Sequence, residues 1–350
     1  MLSVQTLYLS IRSCLTLAKR MSTVTIASSA LLLAGLTGSV ITATAAQANT
    51  NSGSVPNVAA TIRPIHSLVA SIMQDVGEPY LIFDKADSVH GAVLRPSQVR
   101  RLQDADLVIW IGRGIEHELI RPMKAIADAG RLVTLAEEAA IEWRPLVAEN
   151  HDDHEDHAKH DDHGDHGDHG EHDDHAGHAH DEGGLDWHVW LDTGNAIAMA
   201  HVITERLVAI DPAHAEIYQR NEAALVAELT AIDIKIAAQS NGGDYVAQHD
   251  AYGYFTHRYG WHSLGSILAG HEISPSIGDV RRYSDLVKDG KVDCLIADAR
   301  ESQSAIDLVR GNSDVPLISL DPVGVTIPSG PAHFGQLMIA IGEGLSGCNK

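Results

Sequence analysis

What the sequence lacks narrows its role first. Cations are scarce: 25 Lys and Arg stand against 47 Asp and Glu, a formal charge of -22 over 350 residues. That balance argues against nucleic acid or anionic membrane surfaces as partners and suits a protein that handles cations. Beyond the N-terminal region no run is long and apolar enough to span a bilayer, so no direct membrane insertion is expected. Aromatic residues make up only 5%, yet hydrophobic residues reach 44%, enough for a full buried core. Hydrolase signatures are incomplete. His117-Glu118 and His271-Glu272 each lack the second histidine of His-Glu-x-x-His, with Arg121 and Pro275 in its place, and no Gly-x-Ser-x-Gly element occurs. An enzyme is therefore not expected; a zinc hydrolase, the competing reading, would have to turn over ester, phosphoester or peptide substrates.

Cysteine is scarce too, at three residues. Cys14 belongs to the N-terminal region, where Lys19 and Arg20 precede a weakly polar stretch from Ile26 to Ile41 and Ala46-Gln47-Ala48 forms an A-x-A cleavage site. Residues 1–48 read as a secretory signal rather than a transmembrane anchor, which places the mature chain in the periplasm. No small-residue lipobox surrounds Cys14. Cys294 and Cys348 remain, and in an oxidising compartment they form either one disulfide, tying the C-terminal tail to a buried strand, or two free thiols. The pair alone does not make a structural zinc site, which usually needs four clustered ligands.

Short apolar runs alternate with helical patterns. Val58 to Ile62, Tyr80 to Phe83, Leu107 to Ile111 and Leu132 to Leu135 predict buried strands, with a helix over Ser97 to Gln103 between two of them. A second set follows Gly243: Tyr245 to Ala247, Val292 to Ala297 and Pro316 to Leu320. This alternation predicts parallel α/β units in two sets. Between them, Gly194 to Ile210 is helical and stops at Asp211-Pro212; a longer pattern then runs to about Ser240, before Asn241-Gly242-Gly243. The expected layout is an N-terminal lobe over 49–150 and 183–212, a linker helix over 213–240, and a C-terminal lobe over 241–350.

What the chain has in excess is histidine, 22 residues. Half of them recur every third residue or so from His151 to His180, spaced by Asp, Glu, Gly and Ala. Residues 151–182 hold no apolar side chain larger than alanine, so this insertion cannot offset its own ordering entropy and is expected to be disordered. Imidazoles flanked by carboxylates bind zinc, copper or nickel, and on an unordered chain they do so weakly and at several places. A solvated loop without a role, or a pH sensor, has the same composition.

A tight site needs ligands on rigid elements. His90 follows a predicted strand and opens Leu94-Arg95-Pro96-Ser97; His188 sits in Asp186-Trp187-His188-Val189-Trp190-Leu191; His249 ends the strand before it, where open α/β sheets place ligand-binding groups. Around these residues the sequence resembles a known family. His90-Gly91-Ala92-Val93-Leu94-Arg95-Pro96-Ser97, His188-Val189-Trp190-Leu191 and His249-Asp250-Ala251-Tyr252-Gly253-Tyr254-Phe255 are similar to the ligand motifs of ZnuA-like zinc-binding proteins, the solute-binding components of zinc ABC importers. The resemblance implies an α/β fold of two (β/α) lobes joined by a long rigid helix, with Zn2+ held in the cleft as transported cargo by His90, His188 and His249. Asp321, in Leu320-Asp321-Pro322-Val323-Gly324, would supply a fourth oxygen or orient a water. A histidine at 249 favours zinc, since related manganese binders carry a carboxylate there. The resemblance also implies a Cys294–Cys348 bond and an ABC permease as partner, with a periplasmic zinc chaperone as a second candidate. Val89, Ala92, Asp186-Trp187 and Asp298-Ala299-Arg300-Glu301 depart from the family pattern and leave the histidines in place. His66 reads as a cleft or packing residue.

Mass spectrometry of the exported protein should give a mature N-terminus near Asn49. A retained N-terminal segment would contradict the signal assignment.

Overall fold

Runs of apolar residues too short to be helices must pair as strands to satisfy their backbone groups. The computed structural model describes residues 55–84, 93–146, 184–268, 275–300 and 302–348. The proposed signal, His90 and the His-rich segment lie outside the described residues.

The N-terminal lobe holds β1 (Val58–Ala60), α1 (Arg63–Ile72), β2 (Tyr80–Leu81), α2 (Pro96–Asp104), β3 (Leu107–Trp110), α3 (Ile120–Asp128), β4 (Leu132–Thr134) and α4 (Leu135–Glu138). Two helices follow, α5 (Thr193–Ile210) and α6 (Ala215–Gln239). The C-terminal lobe holds β5 (Gly243–Ala247), α7 (Gly253–Tyr259), β6 (Trp261–Ser266), α8 (Ile277–Lys288), β7 (Cys294–Asp298), α9 (Ser304–Arg310), β8 (Leu317–Leu320) and α10 (His333–Leu345). The strands form two four-stranded parallel sheets, ordered β2-β1-β3-β4 and β6-β5-β7-β8. The expected strands are all present, shifted by a residue or two at their ends. Strand β6 was not expected: it is a polar edge strand whose His262 and Ser263 break any apolar run.

Strand alternation sorts the C-terminal sheet into two layers. Tyr245, Ala247, Cys294 and Ile296 face a core shared with the other lobe, whereas Val246, Leu295 and Ala297 face a second cluster with Ile267, Tyr283 and Ile306. The shared core is continuous. It joins Ile65 and Leu68 of α1, Leu225 and Leu229 of α6, and Phe334 and Leu337 of α10. Helix α1 is buried at every position except Arg63, including the side that carries the polar residues His66, Ser67 and Ser71. Polar groups reinforce its contact with the far lobe: Ser67 Oγ donates to Pro331 O at 2.8 Å and accepts from Phe334 N at 2.9 Å. His66 is buried here, with Nε2 3.1 Å from Pro79 O, and is a packing residue as expected.

Helix α6 has 25 residues, which makes it a rod of about 37 Å at 1.5 Å per residue. The corner that precedes it is fixed by Asp211, whose Oδ2 takes hydrogen bonds from Tyr218 OH at 2.8 Å and His214 Nδ1 at 2.7 Å. At its far end the chain turns into β5 through Gly243. A Cβ there would lie 2.6 Å from Cys348 O, and φ is +145°, so only glycine fits. Cys348 is held at that spot by a disulfide to Cys294 of β7, with a Cα–Cα distance of 5.0 Å. No helix among the described residues is long and apolar enough to cross a membrane.

In the N-terminal sheet the loop after β3 is organised by Glu116. Its Oε2 accepts from Ile111 N at 2.8 Å and Gly112 N at 3.3 Å, and the residue is 1% exposed. Burial raises its pKa to about 7, against the smaller pull of Thr61 and the two backbone N–H groups. The raised value means the folded state holds a proton that the unfolded chain has already lost. Its stabilising effect is complete below the unfolded value of 4.5 and disappears as pH rises through about 7. Glu116→Gln removes this titration while keeping shape and an acceptor. Urea unfolding of metal-free protein should show the variant gaining roughly 2–3 kcal/mol on the parent between pH 5 and pH 8. An unchanged difference would mean that Glu116 does not titrate in that window.

Candidate metal site

In a parallel sheet the groups that can meet a ligand sit at the carboxyl ends of the strands, at the point where strand order reverses. Both sheets share one order, so these points fall between β1 and β3 and between β5 and β7. His249 is two residues past β5, with Ala251 N bonded to its carbonyl at 2.9 Å to start the turn into α7. His188 approaches from the other direction, on a short 3-10 turn, Val189–Leu191, that leads into α5. Both side chains are buried, and their ring centroids stand 5.0 Å apart at an interplanar angle of 65°.

His188 is fixed by Asp186. The carboxylate Oδ1 accepts from the His188 backbone N–H at 2.9 Å and from ring Nδ1 at 2.8 Å. With the Nδ1 proton committed there, the metal-binding lone pair is on Nε2. Asp186 is itself 2% exposed. The next residue, Trp187, packs edge-on against Trp143 with centroids 5.1 Å apart. A side chain at Gly114 would collide with the Trp187 indole, so the loop after β3 must be bare at this position.

The segment around His188 is tied to the opposite lobe by three groups. Tyr254 OH donates to Asp186 O at 3.0 Å. Trp190 Nε1 donates to Pro322 O at 2.8 Å. Arg258 NH1 lies 3.3 Å from Asp192 Oδ2, while its Nε donates to Asp233 Oδ1 of α6 at 2.6 Å. Asp192 caps α5 by accepting from Asn195 N at 2.9 Å. Arg258, with Thr193 and Tyr259, holds the Asp233 carboxyl down at about 2. The bonds from Tyr254 and Trp190 and the Arg258 bridge brace His188 against the sheet that carries His249.

Asp321 follows β8 and directly precedes Pro322, the acceptor of Trp190. Its Oδ1 accepts from Val323 N at 2.9 Å and its Oδ2 from Val325 N at 2.7 Å. Arg300 Nε lies 3.3 Å from Asp321 Oδ1. Tyr252, three residues past His249, has its hydroxyl buried with no hydrogen-bond partner among the described residues. Burial first, then the Asp298 and Asp321 carboxylates, push its pKa well above the usual phenol range.

Of the four sequence-predicted ligands, His188 and His249 come together, Asp321 lies on the neighbouring loop, and His90 falls outside the described residues. Among the described residues no group of three His, Cys, Asp or Glu is arranged to hold a metal ion. Sequence reasoning did not assign roles to Asp186, Arg258 or Arg300. An acid two residues before a candidate histidine was the available signal for Asp186, and Asp298 two residues before Arg300 was a similar one; Arg258 acts on Asp192 and Asp233 across long sequence distances and left none.

Comparison with known proteins identifies the family. The family profile described as "Zinc-uptake complex component A periplasmic" matches residues 58–346. The high-affinity zinc uptake system protein ZnuA of Paracoccus denitrificans is 36% identical over 299 residues, covering 84% of this chain and 92% of the relative. Its counterpart from Brucella abortus is 32% identical over 308 residues, covering 85% and 92%. A crystal structure of ZnuA superposes with a TM-score of 0.65 at 18% identity, covering 85% of this chain and all 100% of that one. The solute-binding protein FpvC of Pseudomonas aeruginosa, in complex with Mn2+, gives 0.64 at 18%, covering 84% and 97%. At these identities the structures speak to fold alone. The sequence match spans both lobes and all three of the motif regions, and the chain belongs to the ZnuA family of periplasmic zinc-uptake components, which are solute-binding parts of transporters and not enzymes.

Proposed function

We propose that this chain captures Zn2+ outside the cytoplasm and delivers it to an ABC permease, with His90, His188 and His249 as ligands. The observation that carries the reading is the 5.0 Å separation of the His188 and His249 ring centroids. Two imidazoles sharing one tetrahedral zinc, with Zn–N of about 2.0–2.1 Å and ~1.1 Å more to each ring centre, stand roughly 5.2 Å apart. The two rings already have the spacing that a common ion requires. Asp186 supports the same reading by presenting Nε2 of His188 as the donor. Three neutral imidazoles suit zinc better than a hard, oxygen-seeking cation. The fourth position falls to a water or to Asp321, whose Oδ2 accepts one backbone N–H and so keeps a lone pair.

Around this site the layout is a signal over 1–48, an N-terminal lobe over 49–150 and 183–212, a linker helix over 213–240 and a C-terminal lobe over 241–350. The His-rich segment 151–182 serves as an auxiliary, low-affinity collector. Its neck is closed by an antiparallel bridge between Pro145 and Leu185, with Leu146 N donating to Gly184 O at 2.6 Å and Asp186 N to Arg144 O at 2.9 Å. A periplasmic zinc chaperone is a second partner compatible with cargo hand-over.

Deleting residues 151–182 should leave the fold and one tight zinc site while removing several weaker ones, as read by calorimetric titration of both forms. Loss of the tight site with the segment would make the repeat the main receptor. In the deleted form, His249→Ala should weaken zinc by roughly a hundredfold or more, since losing even an outer-shell partner costs 10–100-fold. His262→Ala serves as control, because that ring is exposed and touches only Asp244, 3.3 Å away. Equal zinc affinity for His249→Ala and the parent would overturn the ligand assignment.

A further inference from the structure

Zinc and manganese binders share this fold, so the choice of metal must be made by side chains at the site. The C-terminal lobe has a charged cluster that joins Asp321, the fourth candidate ligand, to two residues outside the ligand set. Arg300 follows β7, is 11% exposed at its side chain, and faces two carboxylates at once. Its NH2 lies 3.2 Å from Asp298 Oδ2, and its backbone N–H donates to Asp298 Oδ1 at 2.9 Å. Its Nε lies 3.3 Å from Asp298 Oδ1 and 3.3 Å from Asp321 Oδ1. Asp298 is 2% exposed, so its charge needs this guanidinium. Asp321 does not depend on it equally, because two backbone N–H groups also hold its oxygens. One cation therefore serves a deeply buried acid that cannot release it and a cleft-side acid that can.

We propose that Arg300 is a specificity-determining residue that withholds Asp321 from the cargo ion, keeping the site dominated by nitrogen donors. The inference rests on the zinc-site reading given above. With Arg300 on Oδ1, the Asp321 carboxylate is a poor donor to a second cation: Oδ1 is taken unless the metal displaces Arg300, and at Oδ2 like charges would meet across one carboxylate. Zinc, satisfied by imidazoles, has little to gain from that exchange. Manganese prefers carboxylate oxygen and has much more to gain. Because Arg300 keeps its contacts with Asp298, the exchange requires no movement of the buried acid. Arg300 thus penalises oxygen-preferring ions selectively.

The test compares zinc and manganese affinities of the full mature protein by chelator competition at one equivalent of metal. Removing Arg300 alone leaves Asp298 charged and buried, so the informative variant is Asp298→Asn with Arg300→Gln. In this double variant the manganese affinity should rise at least tenfold more than the zinc affinity. Adding Asp321→Asn should abolish that gain. A brace that merely holds two loops together would lower both affinities and leave their ratio alone. An unchanged ratio in the double variant, or a gain that survives Asp321→Asn, overturns the proposal while leaving the three-histidine site standing. Absence of a tight zinc site in the parent would instead overturn the site reading and this inference with it.

Discussion

Two parallel sheets can each offer side chains only from loops beyond their carboxyl edges, so a shared site exists only if loops from both are held in mutual register. Here that register depends on the seven residues from Asp186 to Asp192. Three of their groups are answered from the opposite lobe: the Asp186 carbonyl by Tyr254, the Trp190 indole by Pro322, the Asp192 carboxylate by Arg258. These are buried or half-buried bonds, where an unmade partner costs more than in water. His188 has its orientation set by the backbone that carries it, before any ion arrives.

The fold was legible because parallel, fully buried strands leave short apolar runs that little else produces. Tyr245-Val246-Ala247 and Leu107 to Trp110 are of that kind. Edge position hid β6, since a strand with one open side tolerates His262, Ser263 and Gly265. At the site, His188 and His249 stood out through their motifs. Arg258 did not, because a salt bridge between residues far apart in sequence is invisible until the chain is folded; Asp186 and Arg300 each pair with a residue two positions away, and that local signal was not read.

Metal preference sits at a different level from fold. The architecture is common to relatives described with zinc and with manganese, and it fixes where donors stand without fixing their chemistry. Donor chemistry is decided by single residues whose charge is compensated in one direction or another. Among Asp298, Arg300 and Asp321, one guanidinium faces two carboxylates at once.

The continuous core has a consequence for timing. Lobes joined by a flexible hinge can shed a ligand by swinging apart, but α1, α6 and α10 weld these two along a shared apolar interior. Opening such a body exposes hydrophobic surface at roughly 25 cal/mol per Å2, so the barrier to dissociation rises with every contact that must part. Zinc held in this frame as proposed above would leave slowly on its own, so the work of release would fall to whatever receives it, and that encounter rather than thermal escape from the cleft would set the pace of delivery.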